Sequence, residues 1–245
     1  MEKNIIKLKN EFKRIKAKGY IKGKFNGSGS IGRTFEEELG LNENGFSVPD
    51  YYGIEIKTKR AYSKSAITLF TAVPDGENLF EIERIKDTYG YPFKKDKNYK
   101  ALYIDAYGNR LSFAGIKYQY KIDVDRITKR VYLTIFNKFG DLIERNVYWS
   151  FDYLKERIYN KLNYLAVINT WTKKIDNSEY YNYYKMDIYK LKDFESFLSL
   201  LEDGTIKFSL KVDIHLSENR YGKTYNHGCG FAINECDLPK LYNKL

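Results

Sequence analysis

Asp50 and the triplet Glu55-Ile56-Lys57 stand close together in the segment Pro49-Asp50-Tyr51-Tyr52-Gly53-Ile54-Glu55-Ile56-Lys57. Side chains alternate along a strand, so Glu55 and Lys57 project from one face while Ile54 and Ile56 pack on the other. With Asp50 at the strand's entry, two carboxylates converge on a place suited to a hard divalent cation, and Lys57 stands where water would attack a phosphodiester. This is the chemistry of a metal-dependent nuclease. Taken alone, the triplet is weak evidence, and a surface ion pair is the commoner use of such a pattern. Its surroundings set it apart: a Pro-Asp corner, a glycine-rich stretch from Gly23 to Gly32 containing Asn26-Gly27-Ser28-Gly29-Ser30, and Thr34-Phe35-Glu36-Glu37-Glu38-Leu39-Gly40 between them. Thr34 with Glu37 reads as the capping-box start of a short acidic helix, and Gly40 as its stop.

A second chemical cluster lies near the C-terminus. Thr205 to Leu216 alternates, putting Ser209, Lys211, Asp213 and His215 on one face against Phe208, Leu210, Val212 and Ile214. The chain then turns through Ser217 to Asn226, which includes Arg220 and Lys223, and returns from His227 to Asn234. A β-ribbon carrying these groups fits the major groove of duplex DNA, where an acid accepts from cytosine N4 and a cation or neutral imidazole donates to guanine. A solvated cross-strand pair of Asp213 and His215 is the alternative. A zinc site of His215, His227, Cys229 and Cys236 is disfavoured because no pair has the usual two-residue cysteine spacing.

Stepping outward, the 245 residues carry 42 Lys and Arg against 32 Asp and Glu, a formal charge of +10 that attracts phosphate, although an AT-rich coding bias would also enrich Lys, Asn, Ile and Tyr. Tyr180-Tyr181-Asn182-Tyr183-Tyr184-Lys185 interleaves rings with charge; packing along a strand is the expected use. No apolar run approaches the length of a membrane span, and the N-terminus opens an amphipathic helix rather than a signal peptide, so the expectation is a soluble cytoplasmic protein with Cys229 and Cys236 as reduced thiols.

Ile5, Leu8, Phe12 and Ile15 fall at helical spacing before Gly19. Strands are expected at Ile54 to Lys57, Ile67 to Val73 (stopped by Pro74-Asp75-Gly76), Tyr118 to Val124, Val131 to Phe136, Leu142 to Trp149 and Tyr164 to Asn169. Residues 137 to 141 should form a hairpin turn, and helices are expected from Asp152 to Leu162 and from Asp193 to Leu201. Strands flanked by helices imply an α/β chain. No linker marks a boundary; the expected division is a catalytic lobe over 1–160 and a recognition lobe over 161–245.

At this point Ile31-Gly32-Arg33-Thr34-Phe35-Glu36, Pro49-Asp50, Glu55-Ile56-Lys57-Thr58 and Leu69-Phe70-Thr71 together resemble the MvaI/BcnI family of restriction endonucleases, the MutH-like branch of the PD-(D/E)xK nucleases. The similarity continues through Val147 to Asp152, Leu165 to Ile168, His227-Gly228 and Phe231 to Asn234. The resemblance implies a mixed β-sheet core flanked by helices, with two lobes forming a DNA-binding cleft. It implies Mg²⁺, with Mn²⁺ as a substitute, held by Asp50, Glu55 and the Ile56 carbonyl, with Lys57 beside them and Glu36 completing the acidic pocket. It further implies a monomer that cuts double-stranded DNA at a short site, without membrane association, and a companion methyltransferase that is not physically bound. A MutH-like nicking enzyme and a DNA-binding protein without cleavage are the alternatives. The chain departs from the family where Asp-x-Arg becomes Asp213-Ile214-His215 and Phe-Arg-x-Asn becomes Phe231-Ala232-Ile233-Asn234. Both missing arginines suit guanine, so Asp213, His215, Arg220, Lys223 and His227 are the expected readers of a different target.

Overall fold

The computed structural model describes residues 1–25, 27, 29–41, 49–75 and 81–245, so Asn26, Ser28 and Gly76, named in the expected turns, lie outside the described residues. Helices run over Glu2–Ala17 (α1), Ser30–Glu38 (α2), Glu81–Tyr89 (α3), Phe151–Leu162 (α4), Phe194–Glu202 (α5) and Leu238–Leu241 (α6). Strands run over Ile21–Lys22 (β1), Glu55–Arg60 (β2), Ile67–Thr71 (β3), Tyr91–Pro92 (β4), Lys100–Ala106 (β5), Ser112–Ala114 (β6), Tyr118–Asp125 (β7), Arg130–Asn137 (β8) and Leu142–Ser150 (β9). They continue over Tyr164–Ile175 (β10), Ser178–Leu191 (β11), Ile206–Ile214 (β12), Thr224–Asn226 (β13), Gly230–Ile233 (β14) and Tyr242–Lys244 (β15). No described helix is long and apolar enough to cross a membrane.

Two compact units result, each assembled from separated segments: residues 1–67, 157–192 and 241–245 in the first, 68–156 and 193–240 in the second. A single boundary near residue 160 is therefore not what the contacts give. The reason is topological. β2 pairs with β10 in parallel, and a parallel partner needs a long crossover, so a strand far along the chain returns to lie beside β2.

In the first unit the sheet order is β1-β11-β10-β2, with β15 on β11. α1 buries Leu8, Phe12 and Ile15, the stripe expected from its spacing, against Ile54, Ile56, Ala166, Ile168, Tyr181 and Tyr183. β10 and β11 form a longer hairpin than Tyr164 to Asn169 suggested, closed by Asp176 (φ 45°) and Asn177 (φ 63°), two residues whose short polar side chains tolerate the left-handed region a tight turn needs. The tyrosine-rich stretch lies inside β11, with Tyr181 and Tyr183 fully buried, so its rings pack as a strand.

The second unit holds two sheets, one in the order β3-β14-β12-β5-β4 with β13 on β12, the other β6-β7-β8-β9. Trp149, Phe208, Phe231, Phe70 and Phe197 form its aromatic centre, with Trp149 and Phe208 ring centroids 4.6 Å apart. Gly230 is required there: a Cβ would sit 2.2 Å from the Phe70 carbonyl oxygen. Asn137 Oδ1 accepts from Phe139 N and Asp141 N and closes the β8–β9 hairpin at the expected position. Asp193 caps α5 by accepting from Ser196 N at 2.7 Å.

Candidate active site

Strand β2 is built by Ile54 and Ile56, whose burial in the first unit's core fixes its register and turns Glu55 and Lys57 the other way. Asp50 is tied to the same strand because its Oδ2 accepts from Ile56 N at 2.8 Å. Glu55 is 0 % exposed, its Oε1 bound to Lys57 Nζ and 3.4 Å from Lys161 Nζ. Its Oε2 is buried without a hydrogen-bond partner among the described residues. Burial pushes the Glu55 carboxyl above its ordinary range and the charge of Asp50 adds to this, while Lys57 and Lys161 act against it. Tyr242 lies in the same region; its buried hydroxyl has no partner among the described residues, and its ionisation is pushed upward by burial and by Glu55's charge.

These residues fit a divalent cation. An orphaned, buried carboxylate oxygen next to a second carboxylate is a hard-oxygen donor set that a metal ion would satisfy. Glu36 lies on α2, and a Cβ built at Gly32 would lie 3.8 Å from Glu36 Oε1 and 3.4 Å from Thr58 Oγ1 of β2. Among the described residues, no three of His, Cys, Asp and Glu are grouped to hold a metal ion. The helix start differs from the expected one. α2 begins at Ser30 with Gly29 as N-cap, so Thr34 is an interior, buried position and not a cap. The stop is as expected: Gly40 has φ 73°, Leu41 N donates to Glu36 O and Gly40 N to Glu37 O, a Schellman closure.

Lys161 was not anticipated. It closes a helix in front of an apolar strand, where a basic residue is unremarkable, and only the pairing of Leu165 with Glu55 brings it to the carboxylate.

In the second unit, Asp213, His215 and His227 are brought together. Asp213 is 6 % exposed, and both of its oxygens are engaged: Oδ2 accepts from the Tyr103 hydroxyl and Oδ1 lies 2.8 Å from His227 Nε2. An ionised carboxylate only accepts, so Nε2 carries the hydrogen and a neutral His227 is left with an accepting Nδ1. Tyr225 lies between the two imidazoles, its ring centroid 4.4 Å from His215 and 4.1 Å from His227. Neither Tyr103 nor Tyr225 was singled out from the sequence. Arg220 and Lys223 lie exposed on the connecting turn, where Lys223 O accepts from His215 N at 2.8 Å.

The return strand expected over His227 to Asn234 is shortened to β14, and the expected turn before it contributes the further strand β13. β13 pairs with β12 at Val212, Asp213 and Ile214, whereas β14 pairs with it at Ile206 to Ser209. Between them Asn226 Oδ1 accepts from Gly228 N and Cys229 N, and Gly228 takes φ 92°, a turn that sets His227 beside Asp213. Ala232 is buried in β14 opposite Lys207, and Cys229 and Cys236 are free.

Comparison with known proteins gives a match to the model of the MvaI/BcnI restriction endonuclease family over residues 9–242. A solved complex of the restriction endonuclease MvaI with its cognate DNA substrate is similar over 100 % of this chain and 98 % of that one, at 30 % identity and a TM-score of 0.92. MvaI in the absence of DNA is similar over the same shares and identity, with a TM-score of 0.63. A search of curated proteins gave no match.

Proposed function

This chain belongs to the MvaI/BcnI restriction endonuclease family and is a type II site-specific nuclease that binds DNA, and from that premise we propose that Asp50, Glu55 and Lys57 are its catalytic residues. The observation that carries the proposal is the Asp50–Ile56 hydrogen bond, which ties the corner carboxylate to the strand bearing Glu55 and Lys57. Enzymes of this kind are generally metal-dependent; here the ion is Mg²⁺, with Mn²⁺ as a substitute, and Asp50, Glu55 and the Ile56 carbonyl would hold it. Bound there, it supplies Lewis acidity at the phosphodiester and acidifies a water. Glu55 and Asp50 orient the donor set, and Lys57 brings positive charge to the reacting phosphate.

The ribbon of β12 and β13 is the proposed reader of double-stranded DNA. His215 and His227 present their rings from it, Asp213 holds His227 in one tautomer, and Arg220 and Lys223 reach out from the turn. The first unit is thus catalytic and the second recognises the target, with the enzyme acting as a monomer beside a separate protective methyltransferase. A monomer with one centre must cut the strands in turn. Supercoiled unmethylated plasmid incubated with the protein and Mg²⁺ should pass through nicked circles to discrete linear products; accumulation of nicked circles alone would indicate a nicking enzyme, and no change at all would refute cleavage. Sequencing of the fragment ends gives the target.

A further inference from the structure

Two ammonium groups converge on one oxygen of a fully buried carboxylate. Lys57 Nζ binds Glu55 Oε1, and Lys161 Nζ, delivered by the last turn of α4, lies 3.4 Å from the same atom. Resting on the nuclease reading above, we propose that Lys161 is a positioning residue that keeps Glu55 paired while Lys57 turns to the phosphodiester. A buried carboxylate deprived of its partner is strongly disfavoured. With Lys57 as the sole partner of Oε1, every productive excursion of its ammonium would strand that oxygen in a dry site. Lys161 removes this obstacle, because a contact of 3.4 Å closes to a full hydrogen bond by a small side-chain shift. Tyr242 does not substitute, since its hydroxyl makes no hydrogen bond to Glu55. The arrangement also fixes the rotation of the carboxyl group, leaving the unpartnered Oε2 as the oxygen offered to a cation.

The test compares wild type, Lys161→Met and Lys161→Arg, with Lys57→Met as a dead reference. Single-turnover cleavage is measured in Mg²⁺, DNA affinity in EDTA, and Mn²⁺ binding to the DNA-free protein by electron paramagnetic resonance. Lys161→Met should cut about ten- to a hundredfold more slowly, the range set by leaving a buried charged group short of a partner. Its DNA affinity should be unchanged, and its Mn²⁺ binding equal or tighter because a repelling cation has gone. Lys161→Arg should recover most of the rate. Wild-type cleavage by Lys161→Met, weakened Mn²⁺ binding, or failure of Arg to rescue would overturn the assignment. If Lys161→Met matches a cutting wild type, only the role of Lys161 falls; if wild type binds Mn²⁺ yet never cuts, the nuclease reading falls and takes this inference with it.

Discussion

Removing one oxygen atom from Tyr103 isolates the link between β5 and the recognition ribbon. In the folded chain its hydroxyl donates to Asp213 Oδ2, and Asp213 is 6 % exposed with His227 on its other oxygen. Tyr103→Phe keeps the ring and deletes only that donor. A hydrogen bond to a charged group contributes about 1.5–3 kcal/mol, and the carboxylate left behind is too buried for water to replace the loss fully. For a chain of this size about 2–4 °C of melting temperature accompanies each kcal/mol, so a fall of about 3–12 °C is expected. The effect on recognition runs through one intermediary. A direct base contact is worth about 1–3 kcal/mol, and loosening the group behind the contact should forfeit the lower part of that range, about fivefold in discrimination. The assay is cleavage of a randomised-site library, with kcat/KM of the best site divided by that of the runner-up. Combining Tyr103→Phe with Asp213→Asn in a double-mutant cycle should give a coupling energy above about 0.5 kcal/mol. Unchanged melting and unchanged site preference, or additive single mutants, would refute the idea that Tyr103 holds Asp213.

Asp50→Asn and Glu55→Gln should abolish cutting while sparing DNA binding, and EDTA should stop the wild type; an active Asp50→Asn protein in single-turnover assays would contradict this. Gly230→Ala forces a Cβ to within 2.2 Å of the Phe70 carbonyl oxygen and should lower the denaturation midpoint of the second unit by about 1–3 kcal/mol or more in equivalent stability, read in urea. Tyr89 is pushed up to about 12 by burial and its bond to Glu144; a phenol that holds its proton more tightly when folded loses its contribution as pH rises from about 10 to about 12, so wild type should lose more stability over that window than Tyr89→Phe in chemical denaturation. His215→Ala should shift preference at one base pair with metal activation unaltered, and identical cut sites would remove His215 from the readers.

Strand β2 was legible because alternation and a local corner are short-range facts: Ile54 and Ile56 declare the buried face, and Glu55 and Lys57 follow on the other. α1 was legible for the same kind of reason, from Leu8, Phe12 and Ile15. The start of α2 was misplaced because Thr34 imitates an N-cap, whereas burial of Ile31, Thr34 and Phe35 extends the helix backward to Ser30. Lys161 and Tyr103 were invisible for a different reason. Their partners, Glu55 and Asp213, come from strands distant in sequence, and no local pattern encodes a lateral neighbour across a sheet. Asp213 shows what is lost: alternation put it on the outer face, and a tyrosine from the neighbouring strand β5 and a histidine from the turn after β13 then covered it.

β12 serves two partners along its length. Its first half is clamped to β14 within the aromatic centre of Trp149, Phe208 and Phe231, and its second half carries Asp213 and leads to His215, paired only to the short β13 on that side. The interruption at His227-Gly228-Cys229 separates the halves. Residues 210–229 thus resemble an exchangeable cartridge seated on a fixed socket: the outer segment can be replaced while the socket keeps its aromatic packing. Under the proposed reading of this ribbon as the DNA reader, new target vocabulary would come through changes confined to it, with neither β2 nor the aromatic centre required to change.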